Sequence, residues 1–230
     1  MSKPVIIIVG AGPGVGAATA RTFAAAGYDI GLLARDAGRL EKFAAELEEG
    51  GTNVGWAAVD VADSTALDAT LRRMTDATGR VDVLLHNAVA FNPVPATELT
   101  AEELLTDLGV GVGSLLTAVR AVLPVLRQQR TGTILATGSG AADRPTISAG
   151  SLGVQKAALR TLIQTLAGEL TGEGIHVATV TVRGLIAPGT PFSPEAIADV
   201  FAGLVAQTAS EPAGWQTLVN LTKDGLTEER

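Results

Sequence analysis

Cysteine is absent from the chain, and aromatic residues make up only 3% of its 230 residues. Without cysteine, disulfide bonds and thiolate metal sites are excluded, and the composition is compatible with a reducing compartment. We expect no metal site. Tyrosine occurs once, as Tyr28, so any chemistry that needs a phenolic proton donor has a single candidate.

Basic residues are also few, with 17 Lys and Arg against 24 Asp and Glu and a formal net charge of −7. This charge argues against nucleic acid as the principal partner. No apolar run reaches the length of a membrane span, and residues 1–5 lead into a strand without a signal-peptide pattern. We expect a soluble, cytoplasmic protein without a membrane partner. Because no linker or low-complexity tract interrupts the chain, residues 1–230 are expected to form one domain.

Residues 5–22 combine an apolar strand, a glycine-rich turn and an alanine-rich helix. Residues 5–9 are mostly β-branched, which is typical of a buried parallel strand. Glycine in the turn lets a phosphate approach backbone N–H groups at a helix N-terminus. We therefore predict a nucleotide-binding turn, although a glycine turn that binds nothing is the alternative. Its members are Gly10, Gly12, Gly14, Val15 and Gly16.

Strand and helix patterns alternate along the whole chain. Strands are predicted at residues 5–9, 29–34, 54–59, 81–85, 133–137, 175–182 and 215–221. Helices are predicted at residues 17–26, 38–49, 66–78, 100–126, 153–170 and 194–207. This alternation predicts an α/β fold, a single Rossmann-like doubly wound domain with a parallel sheet of about seven strands and helices on both faces. Ligands of such sheets bind at the C-terminal ends of the strands.

Several motifs stand at the ends of these strands. They are VGAGPGVG at residues 9–16, Asp60-Val61, HNAV at residues 86–89, GTILATGS at residues 132–139, and Lys156 followed by Ala-Ala-Leu. Together they resemble the classical short-chain dehydrogenase/reductase family over nearly the whole chain. The resemblance implies that Ser139 is catalytic and that a nicotinamide dinucleotide is bound. The cofactor contacts it implies outside the glycine turn are Asp60, Val61, Asn87, Ala88, Lys156 and Gly184.

Two positions depart from the family's catalytic pattern. Leu152 stands four residues before Lys156, where the family has its tyrosine, and Gly111 stands where the family has an asparagine. The resemblance therefore implies an atypical member with a degenerate active site, in which Ser139 and Lys156 remain. After the sixth strand, Arg183 also replaces the proline of the family's Pro-Gly pair.

Reduction of a carbonyl requires a proton donor at the carbonyl oxygen, and Leu152 has no proton to donate. Tyr28 and His176 are predicted at the N-terminal ends of strands, far from the ligand crevice. His86 is predicted at a C-terminal end, where a hydrogen-bonded structural role is favoured over a catalytic acid. Lys156 has two open roles: binding the nicotinamide ribose, as the resemblance implies, or supplying a proton in a dry pocket.

The end of the second strand bears on cofactor choice. Ala34 occupies the position at which an NAD enzyme usually places a carboxylate, and Arg35 follows it. Because a guanidinium pairs well with a phosphate, Arg35 favours NADP over NAD. The alternative is a solvated arginine beside Asp36.

These features predict an atypical NADP-dependent oxidoreductase acting on a small carbonyl or related small-molecule substrate. A catalytically silent NADP-binding regulatory or assembly protein is the main alternative, and a non-redox enzyme on the same fold is a third. The helical regions at residues 100–126 and 153–170 carry more apolar positions than one buried face requires, so we expect a homodimer or homotetramer.

Overall fold

A computed structural model describes residues 3–209 and 211–228. The strands are β1 (Val5–Val9), β2 (Asp29–Ala34), β3 (Val54–Ala58), β4 (Val83–His86), β5 (Gly132–Ser139), β6 (Ile175–Val182), β7 (Leu218–Thr222) and β8 (Gly225–Glu228). The α-helices are α1 (Val15–Ala25), α2 (Ala37–Glu49), α3 (Ser64–Thr78), α4 (Ala101–Leu108), α5 (Ser114–Gln129), α6 (Gly150–Leu170) and α7 (Pro194–Gln207).

All of these strands belong to one sheet, in the order β3-β2-β1-β4-β5-β6-β7-β8. The first seven are parallel, which confirms the predicted doubly wound Rossmann-like domain. The strand order reverses between β1 and β4, and this switch point opens a crevice at the C-terminal ends of the strands. The sequence did not predict β8, which pairs antiparallel with β7 at the sheet edge.

Helices cover both faces of the sheet because the central strands are apolar on both sides. Along β1, Val5, Ile7 and Val9 face a core formed with α3, α5 and α6. Ile6 and Ile8 face the opposite core, formed with α1, α2 and α7. Burial on both faces is the reason that this strand reads as a continuous apolar run rather than an alternating one.

The predicted helix at residues 100–126 is divided in the structure. It begins with the expected capping box, in which the Thr100 hydroxyl accepts a hydrogen bond from the Glu103 amide and the Glu103 carboxylate accepts one from the Thr100 amide. A π-helical turn, Gly109–Gly113, then separates α4 from α5. Such turns occur frequently at functional sites.

The region Ala101–Gln129 forms a continuous helical stretch of 29 residues, with a mean hydropathy of 1.7 in its most apolar window. It is long and apolar enough to cross a membrane, so the expectation that no segment reaches this length was wrong. The stretch is apolar because one of its faces packs in the core, where Leu115, Val119 and Val122 are buried with α3 and α6. Buried core helices pass the same test of length and composition.

Candidate active site

A cavity of about 550 Å³ opens at the C-terminal ends of β1 to β4. This volume lies within the range of cofactor and small-molecule sites. Its lining includes seven of the predicted cofactor-binding residues, namely Gly10, Gly12, Arg35, Asp60, Val61, Asn87 and Ala88. The crevice predicted from strand order and the cavity therefore coincide.

Two glycines of the turn are required by packing. Gly10 has a φ of +92°, and a β-carbon on it would lie 2.6 Å from the Ala88 amide nitrogen. A β-carbon on Gly16 would lie 2.7 Å from the Gly10 carbonyl oxygen, where α1 crosses the end of β1. These glycines allow the strand, the turn and the helix to approach one another closely.

Gly12 and Gly14 have a different environment. A β-carbon on either would meet no atom of the described residues within 4 Å. The amides of Gly14, Val15 and Gly16 donate no hydrogen bond within residues 3–209 and 211–228, and no side chain caps α1. Open space beside free N–H groups at a helix N-terminus fits the phosphates of a dinucleotide.

Two arginines line the cavity beyond β2. Arg35 is exposed and makes no hydrogen bond or ion pair within the described part of the chain, so its guanidinium is available to a ligand. Asp36 instead accepts a hydrogen bond from the Arg39 amide at 3.0 Å and lies 3.8 Å from the Arg39 guanidinium. Asp36 thus pairs with Arg39 rather than with its neighbour Arg35.

Asn87 connects three parts of the site. Its Nδ2 donates to the Gly10 carbonyl at 2.9 Å, and its Oδ1 accepts from the Thr137 hydroxyl at 2.8 Å. Asn87 therefore holds the ends of β1, β4 and β5 together around the cavity.

Asp60 also lines the cavity. It accepts a hydrogen bond from the Ala62 amide at 3.0 Å, and this bond shapes the turn after β3.

Lys156 is buried, and its Nζ donates to the Thr137 carbonyl at 2.8 Å. Burial lowers the pKa of Lys156 from 10.5 to about 8. Ser139, at the end of β5, is half-buried and accepts a hydrogen bond from the Ala141 amide at 3.2 Å. Leu152 lies one helical turn before Lys156 on α6 and is also half-buried. Thr137 thus links Lys156 to Asn87.

His86 is buried behind the site and does not line the cavity. Its Nε2 lies 2.7 Å from the Ser114 hydroxyl, which donates to the Val110 carbonyl at 2.6 Å. Because that hydroxyl already donates its proton, Nε2–H must be the donor to Ser114. Burial, followed by the positive charge of Lys156, lowers the pKa of His86 to about 3. These contacts favour the structural role for a neutral imidazole.

At two further positions singled out in the sequence, Gly111 and Gly184, a neighbouring side chain fills the space that a β-carbon would need. A β-carbon on Gly111 would collide with the side-chain amide of Gln155. A β-carbon on Gly184 would collide with the ring of Phe192, and Gly184 is not part of the cavity lining. The adjacent Arg183 binds Asn220 at 2.7 Å and Asp143 at 3.0 Å.

The sequence analysis missed Asp107, a carboxylate on α4 that lines the cavity and is only 8% exposed. Its Oδ2 accepts a hydrogen bond from the Ser151 hydroxyl at 2.5 Å. A charged residue within an apolar helical stretch was the available signal, but its partner lies 44 positions away. Only the fold reveals that the two meet.

The chain also resembles known proteins. A family model described as short chain dehydrogenase matches residues 4–193. Serine 3-dehydrogenase of Agrobacterium fabrum is 32% identical over 176 residues, covering 76% of this chain and 69% of that protein. Sulfoacetaldehyde reductase 2 of Chromohalobacter salexigens is 32% identical over 178 residues, covering 76% and 70%.

Solved structures agree with the sequence comparisons. A metagenomic short-chain oxidoreductase in complex with NADP has a TM-score of 0.85 at 25% identity, covering 96% of this chain and 98% of that one. An alcohol dehydrogenase from the archaeon Thermococcus sibiricus, complexed with 5-hydroxy-NADP, has a TM-score of 0.84 at 25% identity and covers both chains completely. With its sheet order, glycine turn and matching family model, the chain belongs to the short-chain dehydrogenase family.

Proposed function

We propose that the chain is an NADP(H)-dependent oxidoreductase that acts on a small carbonyl or related substrate without the family's tyrosine. The observation that carries this proposal is the cavity at the switch point of the sheet. Gly10 and Gly12 of the glycine turn line it together with Arg35 beyond β2, and the amides of Gly14, Val15 and Gly16, which follow in the same turn, have no partner among the described residues. These features match the phosphates of a dinucleotide.

The preference for NADP over NAD is supported by Arg35. Its guanidinium lies at the cavity, next to Ala34, where a carboxylate for the ribose hydroxyls is missing. A 2′-phosphate placed there gains a charge-assisted hydrogen bond, whereas a 2′-hydroxyl gains little. Two structurally similar proteins are complexes with NADP or 5-hydroxy-NADP.

Lys156 supports a proton-transfer role in the absence of a tyrosine. When bound, the reduced nicotinamide supplies a hydride to the carbonyl carbon. The Lys156 ammonium donates a proton to the carbonyl oxygen, directly or through a water, and the neutral amine regains a proton from solvent. A donor with a pKa of about 8 is well matched to neutral pH, and the Ser139 hydroxyl would orient the carbonyl oxygen.

The surroundings of the crevice favour an apolar substrate. Phe91, Ile147 and Leu185 are 67%, 89% and 83% exposed, in loops that follow β4, β5 and β6. These strands are neighbours in the sheet, so the three loops rise from the same edge. An apolar carbonyl compound would cover these side chains when it binds.

A catalytically silent NADP-binding protein is the second candidate. It is favoured by the Lys156 ammonium, which is already held by the Thr137 carbonyl, and by Leu152, which has no proton. In this case the cofactor would stabilise a conformation rather than react.

Turnover with NADPH over a panel of ketones, aldehydes and imines distinguishes the two candidates. We expect slow reduction by the natural protein, further loss in Lys156→Ala, and a gain in Leu152→Tyr, which places a phenol one turn from Lys156. General acid catalysis contributes roughly 10²- to 10⁴-fold. NADPH binding without turnover in any of the three proteins would favour the silent protein, and turnover unchanged in Lys156→Ala would contradict the role of Lys156.

A further inference from the structure

The cavity contains one carboxylate whose position is fixed by a buried hydrogen-bond chain. Asp107 lines the cavity and is 8% exposed, whereas the other two acidic residues of the lining, Asp36 and Asp60, are exposed. A buried carboxylate is costly unless hydrogen bonds or a ligand satisfy it. The partners of Asp107 therefore bear on what the cavity binds.

The chain of hydrogen bonds starts at Gln155 on α6. The Gln155 amide accepts from the Ala90 amide at 3.3 Å and donates to the Ala90 carbonyl at 3.0 Å, which ties the loop after β4 to α6. Its Nε2 also donates to the Ser151 hydroxyl at 3.3 Å. Gly111 makes this arrangement possible, because any side chain there would collide with the Gln155 amide.

The direction of the next bond follows from the donors. Ser151 is fully buried and accepts from Gln155, so its own proton is directed to Asp107 Oδ2, 2.5 Å away. Asp107 Oδ2 is therefore the acceptor in this hydrogen bond. The second oxygen, Oδ1, accepts no hydrogen bond within the described part of the chain and is not a fully buried atom. Because Asp107 borders the cavity, Oδ1 is the atom it offers to a ligand.

We propose that Asp107 is a ligand-binding carboxylate that accepts a hydrogen bond from a hydroxyl or amino group of the bound dinucleotide. Ser151 and Gln155 are its positioning residues. The inference rests on the proposed function, because it takes the dinucleotide as the occupant of this cavity. A carboxylate repels phosphate, so the group it meets must be a donor, either in the adenosine half or in the nicotinamide half of the cofactor.

The test is calorimetric titration with two probes, NADPH and adenosine 2′,5′-bisphosphate, at low salt. Asp107→Asn keeps the shape of the side chain but removes its charge, and we expect NADPH to bind at least tenfold more weakly. Ser151→Ala frees the carboxylate and should weaken NADPH severalfold. Asp76→Asn, the same change at an exposed position on α3, should have no effect.

The adenosine probe locates the donor. Equal weakening of both probes places it in the adenosine half, and weakening of NADPH alone places it in the nicotinamide half. Unchanged or tighter NADPH binding in both Asp107→Asn and Ser151→Ala overturns the proposal while leaving the proposed function intact. If Asp107→Asn does not fold, Ser151→Ala decides by the same criterion. Failure of the natural protein to bind either probe overturns both proposals.

Discussion

Gly111 and Gln155 lie against each other so closely that a β-carbon on Gly111 would overlap the Gln155 side-chain amide. The amide is held there by both polar groups of Ala90 and by Ser151. The Gln155 amide therefore occupies the space that a side chain at position 111 would need.

The first prediction concerns this pair. Gly111→Ala should destabilise the fold by about 1–3 kcal/mol, because overpacking a buried site exceeds the gain in helix propensity. Gly109→Ala is the matched control, since a β-carbon there meets nothing within 4 Å and the backbone is already helical. Chemical denaturation measures both. In a protein that already carries Gln155→Ala, Gly111→Ala should cost little free energy of unfolding, because the side chain it would collide with is gone. If the free-energy changes of the two substitutions simply add in the double variant, Gly111 and Gln155 are not coupled.

The sequence was sufficient to predict most of the fold. The bounds of β1, β2, β6 and α7 agree with the prediction, because apolar runs there are bordered by clear turn and cap residues such as Ser193, which caps α7. The strand β8 was missed because all four of its residues are exposed and lack apolar alternation. Trp215 was placed in β7, but its indole donates to the Gln207 carbonyl and the strand begins later.

The lining of the cavity was predictable where it follows local motifs and not where it depends on contacts distant in sequence. Gly10 and Gly12 of the glycine turn, Arg35 and Asn87 line the cavity, as their positions after strands suggest. The hydrogen bonds of Gln155 to Ala90 and of Ser151 to Asp107 span 65 and 44 positions. No periodicity or motif indicates such pairs, because they form only when α6 packs against α4 and against the loop after β4.

The second prediction separates binding from folding within the glycine turn. Gly14→Val should abolish NADPH binding while the protein stays folded, because a β-carbon at position 14 meets no atom of the described residues within 4 Å. Gly16→Val should instead destabilise the protein severely, because its β-carbon would press on the Gly10 carbonyl. Calorimetric titration and thermal melts of the two variants provide the comparison. A folded Gly14→Val protein that retains NADPH affinity would rule out the turn as the phosphate site.

The third prediction addresses cofactor choice. Arg35→Asp should weaken NADPH by tenfold to a hundredfold, in keeping with the loss of a charge-assisted hydrogen bond. NADH measured on the same protein is the internal control, and its affinity should change little or improve. Equal losses for the two cofactors would count against recognition of the 2′-phosphate by Arg35.

The fourth prediction concerns assembly. Leu105 on α4, Leu116 on α5 and Val154 on α6 are 68%, 42% and 46% exposed, and covering them would stabilise an association between copies of the chain. We expect a dimer or tetramer in sedimentation at micromolar concentration. Leu105→Glu should shift it towards the monomer, whereas Leu226→Glu at the sheet edge should not. A natural protein that sediments as a monomer would refute this expectation.

The fifth prediction follows from the burial of Lys156. Its pKa is lowered from 10.5 in the unfolded chain to about 8 in the folded protein. Between these values the unfolded chain binds the additional proton, so stability rises with pH across this window and stays at its lower level below pH 8. A shift of this size corresponds to about 3 kcal/mol. Lys156→Met should remove this pH dependence in chemical denaturation, and an unchanged profile would show that Lys156 is solvated.

The same group should govern the reaction if it is the proton donor. Reduction requires the ammonium, so kcat/KM for NADPH-dependent reduction should fall above about pH 8, approaching tenfold per pH unit. Lys156→Arg keeps the positive charge but does not release its proton in this range. That variant should be slow at every pH and show no decline near pH 8. A decline near pH 8 that persists in Lys156→Arg would assign the titration to another group and remove Lys156 from the proton-transfer step.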